Sequence, residues 1–292
     1  MKIINFGSLN IDYVYSVDHL VLPGETLASQ DMQIFPGGKG LNQSIAIARG
    51  GGKVVHAGIY SEEGTFLYEI LKKNNVDVSK IKMVNATNGH AIIEVNKQGE
   101  NAIILFGGTN KLVGKSFVDS VFDNIESDSI ILIQNEISSI GYIMEKAYEA
   151  KCKIVFNPAP MNISVFDYPL DLVDTFIVNL TEGQMMSGEK EPDQILNILG
   201  SKYPNAKIIL TLGVSGSCYV YKNENFFIKA SKVDKVVDTT AAGDTFIGYY
   251  LAGITDGDSV IKSLENASMA AAKCVESKGA SVSIPFAFEI VK

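Results

Sequence analysis

The stretch DTTAAGDTF at Asp238–Phe246 combines small residues with a carboxylate at the predicted start of a helix. Ala241, Ala242 and Gly243 leave backbone N–H groups open at that N-terminus, where unpaired donors and the helix dipole attract anions. Asp244 lies in the same first turn and could act as a general base that activates a hydroxyl against a bound phosphate. The pattern is also typical of an ordinary helix start, with a tight turn followed by an acidic residue.

A second glycine-rich loop, GGKGLNQ at Gly37–Gln43, also precedes a predicted helix. Its glycines, among them Gly38, would let a ligand approach the main chain, and Lys39 and Asn42 could donate hydrogen bonds to hydroxyls or phosphates. The loop is not a dinucleotide fingerprint, because Gln43 occupies the position of the third glycine. A turn with an exposed lysine remains an alternative.

Polar side chains follow several predicted strands, and ligands of open parallel sheets bind beyond the carboxyl ends of the strands. Asn10 and Asp12 are two residues apart, so in an extended chain they share a face that suits two sugar hydroxyls; an Asx-type turn is the alternative. Asn179 and Glu182 could contact a phosphate or hydrated Mg²⁺, or could form a capping box. Glu136 ends another strand and points toward the same sheet edge.

Two further stretches follow predicted strands. TLGVSG at Thr211–Gly216 offers glycines and hydroxyls that could line a nucleotide. The stretch Gly108–Ser116 nearly spells a Walker A loop, but Thr109 stands at the required first glycine position. Because that loop needs its backbone in register, we do not expect a P-loop here.

The elements that must position these residues alternate along most of the chain. From about residue 115, continuously apolar segments alternate with helical patterns, which predicts a parallel sheet covered on both faces. The first third instead contains short strands at 11–15 and 28–35 and a hairpin of strands 90–95 and 102–106. The other predicted strands are 3–6, 53–59, 130–133, 154–156, 176–178, 208–212, 218–221 and 226–228, and the predicted helices are 41–49, 65–74, 117–125, 142–150, 194–199, 242–252 and 260–275.

Composition excludes several classes of protein. The formal net charge is −8 and Arg49 is the sole arginine, so neither nucleic acid nor an anionic membrane is an expected partner. No apolar run reaches the roughly 18 residues of a membrane span, and the first residues are typical of a strand rather than a secretory signal. The three cysteines are widely spaced and offer no disulfide framework, which predicts a cytoplasmic location.

Taken together, these segments resemble the ribokinase family of carbohydrate kinases, the PfkB group, over nearly the whole chain. The two most specific segments are GGKGLNQSIAIARGG at Gly37–Gly51 and DTTAAGDTFIGYYLAG at Asp238–Gly253, in the order found in the family. The family also matches five shorter segments, namely GSLNID, NPAP, NLTE, TLGVSG and KGASVSIP. The resemblance implies a three-layer α/β/α sandwich with a mostly parallel central sheet, formed by one domain over 1–292. It further implies a small antiparallel β lid over about 11–36 and 88–108, which often pairs with the lid of a second subunit, so a homodimer is expected.

The resemblance also implies ATP-dependent phosphorylation of the primary hydroxyl of a sugar, with D-ribose as the expected acceptor and D-ribose 5-phosphate as product. Asp244 would be the general base, and the backbone around Ala241, Ala242 and Gly243 would form the anion hole. The same transfer to 2-deoxyribose, to a ketohexose such as fructose or to a nucleoside such as pseudouridine stays open. So does a non-catalytic sugar- or nucleotide-binding regulatory protein.

The family's remaining ligand contacts carry over residue by residue. The sugar would be held by Asn10, Asp12, Gly38, Lys39, Asn42, Glu136 and Asp244. The nucleotide and its Mg²⁺ would be bound by Asn179, Glu182, Thr211, Gly213, Val214, Ser215, Gly216, Gly243 and Ser268. An activating K⁺ would be held by Asp238, Thr240, Cys274, Ser277, Gly279 and Ser283. Many of the K⁺ contacts would be main-chain oxygens, so Cys274 would bind through its carbonyl and not its sulfur.

Overall fold

The computed structural model describes residues 1–123 and 125–290. Its strands are β1 (Ile3–Phe6), β2 (Asn10–Ser16), β3 (Asp31–Gly37), β4 (Val54–Tyr60), β5 (Asp77–Met83), β6 (Gly89–Val95), β7 (Asn101–Phe106), β8 (Ile130–Gln134), β9 (Lys153–Asn157), β10 (Thr175–Asn179), β11 (Lys207–Thr211), β12 (Gly216–Tyr221) and β13 (Glu224–Lys229). Its α-helices are α1 (Lys39–Arg49), α2 (Thr65–Lys73), α3 (Lys115–Phe122), α4 (Ile140–Glu149), α5 (Leu180–Ser187), α6 (Pro192–Lys202), α7 (Ala242–Asp256), α8 (Val260–Cys274) and α9 (Ala287–Ile290).

Nine strands form a central sheet in the order β13-β12-β11-β10-β9-β8-β1-β4-β5. The strands from β11 to β5 run parallel, and β12 and β13 add an antiparallel edge. Successive side chains point to opposite faces, so Phe6 joins the core under α3–α6 while Ile3 joins the core under α1, α2, α7 and α8. The mostly parallel three-layer sandwich is therefore confirmed.

A second, four-stranded sheet has the order β3-β2-β6-β7. The pairs β2/β3 and β6/β7 are antiparallel, whereas β2 and β6 run parallel. Its strands span Asn10–Gly37 and Gly89–Phe106, close to the predicted lid segments. Because β2 follows β1 after three residues, this lid sheet lies at the carboxyl end of β1, next to the edge where ligands of parallel sheets bind.

Most predicted elements are present, with ends shifted by a few residues. The sequence analysis missed β5, because the alternating charges of DVSKIKM suit only an edge strand, and it missed the single turn of α9. The predicted helix 117–125 begins at Lys115 and ends at Phe122, and position 124 of that prediction lies outside the described residues. Among the helices described, none combines the length and the apolar character needed to cross a membrane.

Candidate active site

A cavity of about 220 Å³ opens at the carboxyl ends of the parallel strands. Asn157, Asn179 and Thr211, which line it, are the last residues of β9, β10 and β11. The first turn of α7 forms another wall, with Gly243 and Asp244. The other lining residues are Lys39, Ala159, Ile177, Val178, Glu182, Thr239, Ala241 and Ile247.

The N-terminus of α7 presents backbone rather than side chains to this cavity. Ala241 is the residue before the helix and has a left-handed conformation, with φ of 61°. A side chain placed at Gly243 would meet no atom within 4 Å. Among the described residues its N–H group donates to no backbone carbonyl, whereas the N–H of Ala242 donates to the carbonyl of Thr239 at 3.3 Å. The helix dipole adds partial positive charge here. The arrangement is suited to an anion, as the sequence predicted.

Asp244 is buried in the same turn, and both of its carboxylate oxygens accept hydrogen bonds from side-chain amides. Nδ2 of Asn42 donates to Oδ2 at 3.0 Å, and Nε2 of Gln43 donates to Oδ1 at 2.9 Å. The sequence analysis placed Asn42 in the site but overlooked Gln43. The signal was present, because Gln43 lies in the first turn of the helix that the glycine loop opens.

Lys39 lies among three carboxylates and lines the cavity. Asp244, Glu136 and Glu182 raise the pKa of its ammonium group, although burial acts in the opposite direction. Lys39 therefore keeps its positive charge where an anionic ligand would enter. The alternative of a turn that merely exposes a lysine to solvent is wrong.

Of the residues expected to bind the sugar, Lys39 and Asp244 line this cavity. Glu136 and Asn42 are connected to it by hydrogen bonds to Lys39 and Asp244. Asn10 and Asp12 belong to β2 and not to an Asx turn. Burial, and next the charge of Glu136, raise the pKa of Asp12 to about 7. Glu136 accepts hydrogen bonds from the hydroxyl of Ser8 and from the backbone N–H of Lys39. The pKa of Glu136 is also raised by burial, although Lys39 and Ser8 oppose the shift.

Asn10 is held by a residue that the sequence analysis did not identify. Asn110 donates from Nδ2 to Oδ1 of Asn10 at 2.7 Å, and its own Oδ1 accepts from the backbone N–H of Leu9 at 3.0 Å. Because a backbone N–H can only donate, these contacts fix both amides and turn the NH₂ group of Asn10 away from Asn110. The stretch that resembled a Walker A loop thus supports the lid side of the site.

Asn179 and Glu182 form the capping box that the sequence left open as an alternative. Oδ1 of Asn179 accepts from the N–H of Glu182, and Oε2 of Glu182 accepts from the N–H of Asn179, both at 2.9 Å. Both residues also line the cavity. Burial raises the pKa of Glu182. The pair therefore caps α5 and faces the cavity at the same time.

The nucleotide residues expected from the sequence divide into two groups. Thr211 lines the cavity, and Gly213–Ser215 form a 3₁₀ turn just beyond it, with the side chain of Val214 exposed. Gly216 instead begins β12, where a side chain would collide with the backbone of Ile228. Ser268 is bonded within the protein, because its hydroxyl accepts from the N–H of Ser231 at 3.0 Å.

The residues expected to hold a monovalent cation surround the loop that leads into α7. Asp238 accepts hydrogen bonds from Thr240 and from the N–H of Gly279 at 2.9 Å. Ser283 and Cys274 lie in contact, with Oγ and Sγ 3.1 Å apart. The N–H of Ser277 donates to the carbonyl of Cys274 at the end of α8, and the sulfur of Cys274 lies 3.8 Å from the carbonyl oxygen of Thr240 in the loop.

Apart from the sulfur of Cys274, the donor atoms available there are oxygens, which suit a hard cation of low charge. A carboxylate, hydroxyls and backbone carbonyls lie within one loop cluster, which fits K⁺ better than a soft metal. The described residues contain no cluster of three or more His, Cys, Asp or Glu side chains that could hold a metal ion. The carbonyl of Cys274 already accepts from the N–H of Ser277, and the sulfur of Cys274 faces Thr240 and Ser283. Cation binding through main-chain oxygens stays a prediction.

Comparison with known proteins gives concordant results. The model of the pfkB family of carbohydrate kinases matches residues 1–287. The chain is similar to the ribokinase of Haemophilus influenzae, with 33% identity over 288 residues that cover 96% of this chain and 94% of that protein. It is also similar to two solved structures. The ribokinase of Cryptococcus neoformans var. grubii serotype A in complex with ADP is 30% identical, with a TM-score of 0.85 and coverage of 99% of this chain and 98% of that one. The Arabidopsis thaliana ribokinase complexed with ribose and ATP is 26% identical, with a TM-score of 0.88 and coverage of 99% and 96%.

Proposed function

The chain belongs to the pfkB family of carbohydrate kinases, and from this premise we propose that it transfers a phosphoryl group from ATP to D-ribose. The products are D-ribose 5-phosphate and ADP, and the enzyme is an ATP-dependent sugar kinase. The observation that carries the proposal is the first turn of α7, where Asp244 lies beside the backbone of Gly243 at the wall of one cavity. A base and an anion site in the same turn are what this reaction requires.

The proposed mechanism is mainly one of positioning and electrostatics. Asp244 accepts the proton of the primary hydroxyl as its oxygen attacks the γ-phosphorus, and the bond to the β,γ-bridging oxygen breaks to leave ADP. The N–H groups around Ala242 and Gly243, with Ala241 beside them, stabilise the negative charge of the transferring group. Lys39 supplies a full positive charge to the same space.

The lid flank of the site is the proposed sugar subsite. Asp12 and Glu136 would accept hydrogen bonds from sugar hydroxyls, and Asn10 and Asn42 would donate to them. The polar atoms of a buried subsite of this kind discriminate strongly against analogues that lack a matching hydroxyl. Gly38 is the remaining proposed contact. Its φ of 95° is a left-handed conformation, and its carbonyl accepts from the N–H of Asn42 at 3.0 Å.

The nucleotide subsite lies on the other flank, toward β10 and β11. We assign phosphate and Mg²⁺ contacts to Asn179 and Glu182, because Mg²⁺ prefers one or two protein oxygens together with waters. Mg²⁺ bound there would neutralise phosphate charge. The nucleoside would lie against the proposed contacts Thr211, Gly213, Val214, Ser215, Gly216 and Ser268.

We also propose activation by K⁺ at the loop before α7. The ion would be held by Asp238, Thr240, Cys274, Ser277, Gly279 and Ser283. The ion would act by fixing the loop that delivers the N–H groups of α7, so activity in K⁺ should exceed activity in Na⁺. Equal initial rates in the two buffers, at matched ionic strength, would argue against this site.

The lid sheet carries a proposed dimer interface. Its face exposes large apolar side chains, with Ile34, Ile92 and Ile104 at 52%, 38% and 68%. Ile92 pairs with Ile104, and Tyr13 lies between Ile34 and Ile92, so the patch is continuous. Exposed apolar patches of this kind mark interaction sites. In sedimentation experiments Ile104→Lys should shift a dimer to monomer, whereas Lys97→Glu on the lid turn should not.

The proposed location of the protein is the cytoplasm.

A substrate panel tests the proposed acceptor. A coupled assay of ADP release should give the highest kcat/KM for D-ribose among ribose, 2-deoxyribose, fructose and pseudouridine. A preference for fructose or a nucleoside would leave the kinase assignment intact and would show that ribose is not the preferred acceptor. Release of no ADP with any acceptor would instead favour a binding protein without catalysis.

A further inference from the structure

The carboxylate of Asp244 is held by two consecutive residues of a neighbouring helix. Asn42 and Gln43 follow each other in α1 and donate one hydrogen bond to each carboxylate oxygen. The two helices pack closely, because a side chain at Gly248 of α7 would collide with Ala46 of α1. This contact fixes α1 against the helix that carries the base.

Gln43 is itself held by a chain of buried amides. Its Oε1 accepts from Nε2 of Gln134 at 2.7 Å, and the same Nε2 donates to Oδ1 of Asn5 at 2.8 Å. Asn5 in turn donates to the backbone carbonyl of Gly40 at 2.8 Å. Asn5, Gln43 and Gln134 are all at least 99% buried. We call these three side chains the amide chain.

The two ends of the amide chain determine the orientation of each amide within it. A backbone carbonyl at one end and a carboxylate at the other can only accept hydrogen bonds. Asn5 must therefore turn its NH₂ group to Gly40, so its oxygen accepts from the NH₂ group of Gln134. That NH₂ group also donates to the oxygen of Gln43. The NH₂ group of Gln43 is then directed to Asp244. Gln134 leaves its own Oε1 without a partner among the described residues, as expected if its orientation serves its two neighbours.

We propose that Gln43 is a positioning residue of the phosphoryl transfer, which the amide chain orients so that it holds the carboxyl group of Asp244 in one rotamer. A neutral donor stabilises a carboxylate without adding a charge or a second titration to the site. The inference rests on the proposed function, in which Asp244 is the base. The other ionisable groups that face Asp244 are Lys39, Glu136, Glu182 and the thiol of Cys274.

Gln43→Met tests the proposal, because methionine keeps the length of the side chain and removes the donor. We expect kcat near neutral pH to fall on the order of tenfold and the acidic limb of the kcat–pH profile to move up by about one unit, since an ionised carboxylate that loses a donor is more easily protonated. KM for ribose and for ATP should stay within about twofold, because Gln43 is not among the residues that line the cavity. Gln43→Glu should move the acidic limb further, since it brings a second carboxylate to Asp244.

Controls separate positioning from folding. Asn74→Ala removes another buried amide, which bonds Arg49 at the far end of α1, and should lower Tm without moving the pH profile. Gln134→Met should move the acidic limb of the kcat–pH profile in the same direction as Gln43→Met. If Gln43→Met does not fold, Gln134→Met is used in its place. A Gln43→Met enzyme with a lowered Tm but a wild-type acidic limb and kcat would overturn the proposal.

A parallel measurement isolates the underlying function. If Asp244→Asn retains full activity, Asp244 is not the base and the proposed function fails. If Asp244→Asn is inactive while Gln43→Met behaves as wild type, the proposed function stands and only the role of the amide chain is removed.

Discussion

The proposed base, Asp244, and one sugar-side carboxyl group, Asp12, differ in how the protein surrounds them. Asp244 accepts two hydrogen bonds from amides, one on each oxygen. Asp12 is packed against Gly37 on the neighbouring strand, and within residues 1–123 and 125–290 its carboxylate accepts no hydrogen bond. Burial and Glu136 accordingly raise the pKa of Asp12 to about 7. The protein thus completes the surroundings of the base in advance and leaves those of Asp12 for a ligand.

The elements that carry the two groups explain the difference. Asp244 and its donors come from α7 and α1, which pack in the core beneath the central sheet. Asp12 lies on β2 of the lid sheet, whose outer strand β7 is exposed throughout. A base must be preorganised to act within a hydrogen-bond distance of its proton. A specificity contact gains most when the substrate supplies the missing hydrogen bonds itself.

The largest expected effect is that of replacing the proposed base, Asp244. Asp244→Asn keeps the shape of the side chain but removes the proton acceptor, so kcat should fall about 10²–10⁴-fold, the usual contribution of general-base catalysis. ATP binding, measured by calorimetry, should persist because the N–H groups of α7 are unchanged. Asp256→Asn at the exposed end of the same helix is the matched control and should be active. Near-normal turnover of Asp244→Asn would remove the base assignment.

The next effect concerns the other carboxyl group. Asp12→Asn replaces an acceptor of two hydroxyls by a group with one accepting oxygen, so kcat/KM for ribose should fall about 10–100-fold, in keeping with hydrogen bonds to a charged group. KM for ribose should rise far more than kcat falls, whereas KM for ATP should not change. Asp18→Asn, which removes an exposed lid carboxylate paired with Lys97, serves as control. A loss confined to kcat would place Asp12 in catalysis rather than in sugar binding.

A smaller effect is expected at a residue that does not contact the sugar. Asn110→Ala frees the amide of Asn10 to rotate, so KM for ribose should rise by about tenfold or less, the value of one neutral hydrogen bond. kcat at saturating ribose should be nearly unchanged, and Asn225→Ala on the exposed strand β13 should have no effect. An equal loss of kcat and of affinity would mean that Asn110 supports the whole lid rather than Asn10.

The sequence predicted the layers, and it singled out several candidate site residues, because both inferences depend on local patterns. Apolar runs of strand length alternate with amphipathic helices, and the two glycine loops stand directly before helices α1 and α7. Residues such as Asp244 and Lys39 could be singled out because a charge beside small residues at a helix start is a local signal.

The supporting residues could not be predicted in the same way. Gln43 and Gln134 are separated by 91 positions, and Asn10 and Asn110 by 100. A buried amide has no characteristic spacing along the chain, since its partner is set by the sheet order and not by local pattern. The raised pKa of Asp12 likewise follows from its burial and from the approach of Glu136, which only the fold brings about.

The smallest expected effect is the pH dependence of stability that Asp12 contributes. Its pKa is 3.8 in the unfolded chain and about 7 in the folded protein, so the folded state binds more protons between these values and its stability falls as pH rises through that window. His56, whose pKa burial lowers to about 4, acts in the opposite direction below its unfolded value of 6.5. The relevant quantity is therefore the difference in Tm between wild type and Asp12→Asn, without ligand. Between pH 5 and pH 8 the Tm of wild type should fall by about 2 °C or more relative to the Tm of Asp12→Asn, as expected for a chain of this size. Saturating ribose should raise the Tm of wild type more at pH 8 than at pH 5, because the sugar binds the ionised carboxylate. A Tm difference independent of pH would mean that Asp12 is already ionised in the free enzyme, and the contrast with Asp244 would then rest on geometry alone.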